Sequence, residues 1–300
     1  MDQLLAMRAF ARVVEAGTFT KAADSLSMPN ASLTKLVQAL EAHLRVKLLQ
    51  RTTRKVSVTP EGAVYYEKTL RLLKELDDVD TSFNAVQSRP RGQLRVDTGS
   101  SVANLLIIPA LPEFFARYPD IRVDMSVSDR HVDMVGDNID CVIRGGELTD
   151  MSLIGRHIGG ASRVTCATPA YLKQHGIPTH PDQLEKEHRV VCYLSARTNR
   201  VMPMHFACGA KKMEVTGNRT FGTNESNAHV AAGLAGLGVL QTFAYVARPH
   251  IASGALVPVL QDWQPAPYPF YVVYPPNRHL SNRLRVFIDW IVERFPELAH

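Results

Sequence analysis

Three hundred residues, 45% hydrophobic and 21% charged, make a chain long enough for two or three folded domains, which excludes a disordered tail or a miniprotein dependent on disulfide staples. The net charge of +5 is confined to one end: residues 1–60 hold nine Lys and Arg against four Asp and Glu, and the remainder balances at 25 of each. A basic amino-terminal module on a neutral body points to a polyanion partner for that module alone, with a plain solvated basic surface as the alternative.

Cys141, Cys166, Cys192 and Cys208 form no CxxC pair and have no His at metal-ligand spacing. Reduced thiols, no bound metal or cofactor and a cytoplasmic location are expected. The opening MDQLLAMRAF lacks a basic n-region followed by a pure apolar run, and no stretch approaches the roughly 18 uncharged apolar residues of a membrane span. Neither secretion nor membrane attachment is expected, and the Asn-x-Ser/Thr triplets at Asn30, Asn218 and Asn224 read as chance matches.

In chain order, Leu4, Met7, Phe10, Ala11 and Val14 recur at helical spacing, and Gly17 offers a carboxy-terminal cap. Thr18 suits the N-cap of a short second helix whose Ala22 and Ala23 allow close approach. Ser27-Met28-Pro29 breaks it, and Asn30 is expected to cap a third helix. That helix has two faces: Leu33, Leu36, Val37, Leu40 and Leu44 form a core stripe, and Ala31, Thr34, Lys35, Gln38 and Ala42 form the other side. Small residues flanking Thr34, Lys35 and Gln38 leave room for a groove floor, and those side chains can bond to base edges or phosphates. Two helices joined by a short turn are the usual means of placing a helix in the major groove of DNA.

Val46–Val58 reads as two short strands, with Arg51, Arg54 and Lys55 clustered at the tip like a wing that reaches phosphate. Thr59-Pro60-Glu61 is a helix start: a hydroxyl cap, a proline at the first helical position and an acidic first turn. The helix is expected to run to about Gln87, about 42 Å at 1.5 Å per residue. Tyr65, Thr69, Leu72, Leu76, Val79, Phe83 and Val86 mark a heptad seam for pairing with a second copy, against which stands a long amphipathic helix lying on its own domain. Ser88–Gly92 breaks the pattern as a hinge.

Beyond the hinge, strands and helices alternate as in α/β architecture. Strands are expected at Gln93–Thr98, Ile121–Val127 and Cys141–Arg144, with a helix over Val102–Arg117. A second block opens near Arg163 and holds the hairpin-like MHFACGAKKMEV, a helix over Ser226–Leu237 and a strand over Val239–Thr242. The tail returns with a strand at Phe270–Tyr274 and a helix over Ser281–Phe295, so the chain crosses between two lobes at about Gly160 and Pro265. Thr98-Gly99-Ser100-Ser101 follows a strand and opens a helix, which suits a small anion, although the serines can simply cap that helix. No GxSxG, HExxH or Walker lysine is present, the histidines are scattered, and Gly233, Gly236 and Gly238 are in the wrong order for a dinucleotide loop. No enzyme is expected. A solute-binding protein would lack the first 90 residues and carry a signal peptide.

With these residues in view the chain resembles the LysR-type transcriptional regulators over essentially its whole length. The carriers are FARVVEAGTFTKAA from Phe10, SLTKLVQALE from Ser32 and LLQRTTRKVSVTPEG from Leu48. GQLRV at Gly92, FARYPDIRV at Phe115, DCVIRGG at Asp140, TPAYL at Thr168 and AAGLAGLGV at Ala231 support them. The resemblance implies a winged helix-turn-helix over 1–58, a dimerising linker helix over 59–88 and a hinge at 89–92. A two-lobed effector domain like a periplasmic binding protein follows, with one lobe from 93–160 and 266–300 and the other from 161–265. Implied DNA contacts are Asn30, Ser32, Thr34, Lys35, Gln38, Arg51, Thr53 and Arg54, to which Lys55 at the wing tip and Thr18 and Thr20 at the start of the second helix are added. Implied effector contacts are Ser100, Ser101, Ser128, Asp129, Arg144, Thr223 and Asn224, and the seam residues Tyr65, Leu72, Leu76, Val79 and Phe83 are expected to dimerise.

Expected partners are promoter DNA, a small effector such as a carboxylate or aromatic acid, further copies of the chain as a dimer or a dimer of dimers, and RNA polymerase. A response to oxidant through a cysteine, or no small effector at all, stand as alternatives. Two departures mark this chain. Arg45 stands where the family usually has Gly, and Thr34-Lys35 replaces the usual Ser-Arg, losing the rigid bidentate fork for guanine.

Overall fold

The computed structural model describes residues 1–51, 56–83, 89–130, 132–134, 136–146, 152–196, 198–276 and 280–299. They form two compact units, 1–88 and 89–300. In the first, helix α1 (Gln3–Ala16) begins at Asp2, whose carboxylate accepts from Leu5 N–H at 3.0 Å, and ends at Gly17 with φ 68°. Thr18 caps α2 (Phe19–Ser25) by accepting from Lys21 N–H at 3.3 Å. Helix α3 (Asn30–Leu44) departs from the expected cap: Pro29 holds the extended conformation before it, and Asn30 is its first helical residue, its amide donating to Thr20 Oγ1 at 3.5 Å. Arg45 closes α3 in the left-handed region at φ 55° and ψ 30°, the strained role that glycine fills without cost.

Strands β1 (Leu49–Arg51) and β2 (Val56–Val58) pair antiparallel with Leu49 opposite Val58. Thr59 Oγ1 then accepts from Gly62 N–H at 2.9 Å and donates to Lys47 O at 2.7 Å, which fixes the start of α4 (Pro60–Phe83) against the strand. Gly62 is obligatory there, because a Cβ would stand 2.0 Å from the carbonyl oxygen of Leu48. Phe10, Leu33, Leu40 and Leu48 are buried at the centre of the unit, with the rings of Tyr65 and Tyr66 5.8 and 6.4 Å from that of Phe10. The expected end of α4 near Gln87, with Val86 of the seam, lies outside the described residues.

In the second unit, a five-stranded sheet runs in the order β4-β3-β5-β14-β6. Its members are β3 (Gly92–Thr98), β4 (Ile121–Val127), β5 (Cys141–Gly145), β6 (Ile154–Ala161) and β14 (Tyr268–Tyr274). Strands β4 and β5 flank β3 in parallel, so their carboxyl ends lie on one edge. Between β3 and β4 come α5 (Ser100–Val102), a π-helical turn (Ala103–Ile107) and α6 (Ile108–Arg117), where one helix was expected. The final helix α11 (Asn282–Leu298) buries Phe287 and Trp290 against Phe114, with ring centres 5.5 and 5.0 Å away.

The chain leaves this lobe after Ala161 and builds a second from β7 (Arg163–Ala167), α7 (Pro169–His175), α8 (Gln183–Lys186), β8 (Arg189–Tyr193), β9 (Met204–Cys208), β10 (Lys211–Val215) and β11 (Asn218–Thr223). Helix α9 (Ser226–Leu234), β12 (Leu240–Phe243), α10 (Ala244–Ala252) and β13 (Val257–Val259) complete it. Strand β7 lies antiparallel between β12 and β13, and β9 and β10 form the expected hairpin. Strand β8 runs parallel to β11, so Tyr193 and Thr223 end side by side. Among the described residues no helix is long and apolar enough to cross a membrane.

Candidate functional site

Helix α3 turns Leu33, Val37 and Leu40 into the core of its unit. The 3.6-residue period then carries the intervening positions outward. Asn30, Ala31, Ser32, Lys35, Gln38 and Ala42 are exposed and Thr34 is half-buried, while at the start of α2 Thr20 is exposed and Thr18 half-buried. The wing follows α3 directly: Arg51 ends β1, whereas Thr53, Arg54 and Lys55 lie outside the described residues. Glu41, unremarked in the sequence, fastens the wing to α3. Its buried carboxylate accepts from Leu48 N–H at 2.9 Å, Leu49 N–H at 3.1 Å and Lys47 Nζ at 2.9 Å. Burial pushes its pKa up, but those hydrogen bonds outweigh it and hold the group below the usual carboxylate value. An apolar stripe ending in Glu gives no sign of this; the signal would have been a lone acid on the buried side of a helix.

In the second unit, three parallel strand ends bring Gly99–Ser101, Ser128–Asp129 and Arg144 to one edge, facing Tyr193 and the start of α9 from the other lobe. Between the lobes lies a cavity of about 330 Å³. Of the expected effector residues, Ser101, Asp129 and Arg144 line it; Ser100, Ser128, Thr223 and Asn224 do not. The expected anion position holds a side chain of the chain itself. Asp129 accepts from Ser100 N–H at 3.0 Å, Ser226 N–H at 2.8 Å, Ser100 Oγ at 3.3 Å and Tyr193 OH at 3.1 Å. Its carboxylate thus sits at the helix starts of both lobes, where a negative charge is favoured.

Glu225, the N-cap of α9, accepts from Asn227 N–H at 3.0 Å, Ala228 N–H at 2.7 Å and the Ser100 hydroxyl. Burial raises its pKa, the bonds from Ser100, Asn227 and Ala228 together lower it by more, and the net direction is down. Ser101 Oγ pairs with Tyr245 OH at 3.1 Å. Burial drives the Tyr193 phenol pKa up, with the adjacent Asp129 charge adding to it, and burial does the same to Tyr245. Thr223 Oγ1 accepts from Glu225 N–H at 3.3 Å, and the Asn224 carbonyl accepts from Tyr193 OH at 3.3 Å, so both act within this latch. Arg144 is also engaged: Nη2 donates to the buried Asp97 carboxylate, to Ser128 O at 3.0 Å and to Arg130 O at 3.2 Å, and Nη1 to Ile143 O at 3.1 Å. Burial raises the Asp97 pKa against the opposing pull of Arg144.

A family model described as the bacterial regulatory helix-turn-helix protein, lysR family, matches residues 4–63, and one described as the LysR substrate binding domain matches residues 87–296. The chain belongs to the LysR family of transcriptional regulators. This LysR-type regulator is 37% identical to an HTH-type transcriptional repressor of Pseudomonas aeruginosa, over 99% of this chain and 93% of that one. It is 33% identical to the HTH-type transcriptional activator AaeR of Escherichia coli, over 100% of this chain and 96% of that one. The solved structure of CrgA from Neisseria meningitidis matches with a TM-score of 0.61 and 31% identity, covering 99% of each chain.

In this LysR regulator three of the four cysteines, Cys141, Cys166 and Cys192, are buried and only Cys208 is exposed. Burial pushes the Cys166 thiol up to about 12 and raises that of Cys192. A thiol held protonated is a poor oxidant target, which removes the physical support for Cys166 as a redox sensor. The cavity also holds residues that the sequence did not mark: Arg163, His205, Gln241 and His229. Gln241 Nε2 donates to Thr165 Oγ1 at 3.2 Å and His205 O at 2.9 Å, and His229 Nε2 meets Val191 O at 3.0 Å. Burial lowers the His229 pKa, with the Val191 bond opposing it. No short motif announces these positions, because strand pairing and not sequence proximity brings them together.

Proposed function

We propose that this LysR-type regulator reads promoter DNA through the outward face of α3 and that a small anionic metabolite in the cleft between its lobes modulates that binding. The observation that carries the reading is the sidedness of α3: Leu33, Val37 and Leu40 are buried while Ser32, Lys35 and Gln38 stand exposed on the opposite surface of the helix, within the basic segment 1–60. Gln38 suits adenine and Lys35 suits guanine or phosphate, with Thr18, Thr20, Asn30, Thr34 and the wing around Arg51 positioning the head on the backbone. The cleft supports the second half of the reading, since a cavity between two lobes with convergent polar groups is the usual form of a small-molecule site.

Self-association belongs to the same reading. Of the expected seam on α4, Tyr65 packs its ring against Phe10 and Thr69 is fully buried within its own unit, whereas Leu72 is 54% exposed, as a residue awaiting a second copy would be. Pairing of α4 would present two reading heads to a two-fold site, in a cytoplasmic dimer or dimer of dimers. The domain limits that go with it are 1–58, 59–88, 89–92, 93–160 with 266–300, and 161–265. Fluorescence anisotropy on a fragment from upstream of the gene is the test. The expected affinity falls by about three orders of magnitude or more between about 50 and 200 mM salt; binding that is weak and insensitive to salt would exclude the DNA reading.

A further inference from the structure

The cations that line the cavity differ in what neutralises them. Arg144 is held by Asp97 and three backbone carbonyls. The side chain of Arg163, the first residue of β7 just past the crossing between lobes, has no carboxylate partner among the described residues, and its buried Nε has no hydrogen-bond partner among them. Its guanidinium carbon lies 5.1 Å from the centre of the Tyr268 ring, and a Cβ on Gly145 would come within 2.8 Å of that ring and one on Gly146 within 2.7 Å of its hydroxyl oxygen. The GG of the DCVIRGG motif thus makes room for the aromatic shelf on which Arg163 rests. Burial lowers the Arg163 pKa, with only Tyr268 opposing, and His205 nearby has its pKa lowered first by its own burial and then by the Arg163 charge.

A desolvated cation without a counter-charge weakens the fold and gains most from a ligand that supplies one. The helix starts cannot take that ligand's charge, because Asp129 already accepts from both. We propose that Arg163 is the anion receptor of the cleft, and that the effector is a compact monocarboxylate whose apolar or aromatic body rests among Val102, Met202, Met204 and Phe243. This deepens the cleft reading above and rests on it. The planar guanidinium offers a carboxylate two parallel N–H donors. The cavity, at about 330 Å³, is at the small end of ligand pockets, which fits one ring and a carboxylate and not a nucleotide.

The test uses the full chain with bromide, benzoate and benzamide as probes. In crystals equilibrated with sodium bromide, anomalous density is expected at Arg163 in the unsubstituted protein and not in Arg163→Gln; bromide at the Ser100–Ser226 turn, or none in the cleft, overturns the receptor. By calorimetry, benzoate is expected to bind at least about tenfold tighter than its neutral isostere benzamide. Arg163→Gln should erase that preference with benzamide affinity unchanged, and Arg163→Lys should keep part of it. Because the Arg163→Gln variant removes a desolvated charge and gives up only the contact with the Tyr268 ring, its Tm is expected to equal or exceed that of the unsubstituted chain, which separates a lost receptor from a lost fold. Equal binding of both probes sinks Arg163 as receptor and leaves the cleft a ligand site; bromide at Arg163 with neither organic probe bound sinks the ligand class and the cleft reading instead.

Discussion

On α3 the side chains assigned to recognition stand in solvent on a rigid helix, whereas in the cleft nearly every polar group is already bonded to another part of the chain. Lys35 and Gln38 are exposed beside a fully buried Val37. Ser100, by contrast, meets Asp129, Glu225 and Ser226, the last two more than 120 residues away in sequence. A surface proposed to meet an external duplex is left with its side chains in solvent. The cleft proposed to hold a small molecule has its polar groups bonded to each other, so a ligand there has to compete with those bonds or use the group they leave out.

The sharpest way to break that contrast is Asp129→Asn, which keeps the shape of the side chain and removes the charge that both helix starts share. An expected loss of about 2–4 kcal/mol, read by urea denaturation of the full chain, follows from buried donors left poorly paired. Affinity for DNA at fixed protein folding should then change far less than stability. An unchanged urea midpoint would mean that the latch holds nothing together.

Glu41→Gln probes the other region, where a buried carboxylate serves the wing. Loss of a charge-assisted cluster is expected to cost about 1–3 kcal/mol. Because the Glu41 pKa is lowered in the folded state, its contribution is complete above the unfolded value near 4.5 and is lost as pH falls through the folded value beneath it. The stability gap between the unsubstituted chain and the Glu41→Gln variant should therefore shrink on acidification below about pH 4.5; a gap independent of pH would assign the effect to packing alone.

Arg45→Gly gives the smallest effect and the opposite sign. Arg45 holds φ 55°, a conformation that costs a side chain about 1–2 kcal/mol, and the looser unfolded chain of glycine returns part of the gain. A net stabilisation of about 0.5–1 kcal/mol is expected in thermal unfolding. Destabilisation would show that the Arg45 side chain makes a contact worth more than the strain.

What could be read in the sequence divides along the same line. Periodicity placed Leu33, Val37 and Leu40 inward and Lys35 and Gln38 outward because a helix converts spacing into sidedness directly. Thr59-Pro60-Glu61 announced the Thr59 cap, whereas the close pass of Gly62 against Leu48 came to light only in the folded chain. Asn30 misled because an extended Pro29 moved the helix start back by one residue, so that a residue fit to cap was drawn inside. In the cleft, strand ends were legible but bonding partners were not. That Arg144 or the Ser100–Ser101 helix start could be taken up locally was foreseeable, but not that β3 would present Asp97 and β4 Asp129 to them, and Arg163 was passed over because its distinction is the carboxylate partner it lacks among the described residues.

The central claim is that the exposed face of α3 reads base sequence. Selection of bound duplexes from a randomised library, with the unsubstituted chain, Gln38→Ala and Lys35→Ala side by side, tests it most directly. Gln38→Ala is expected to relax the preference at one position of each half-site at a cost of about 1–3 kcal/mol, and Lys35→Ala either to relax another position or to weaken all sequences alike. Recovery of the same site with unchanged affinity by both variants would contradict the account.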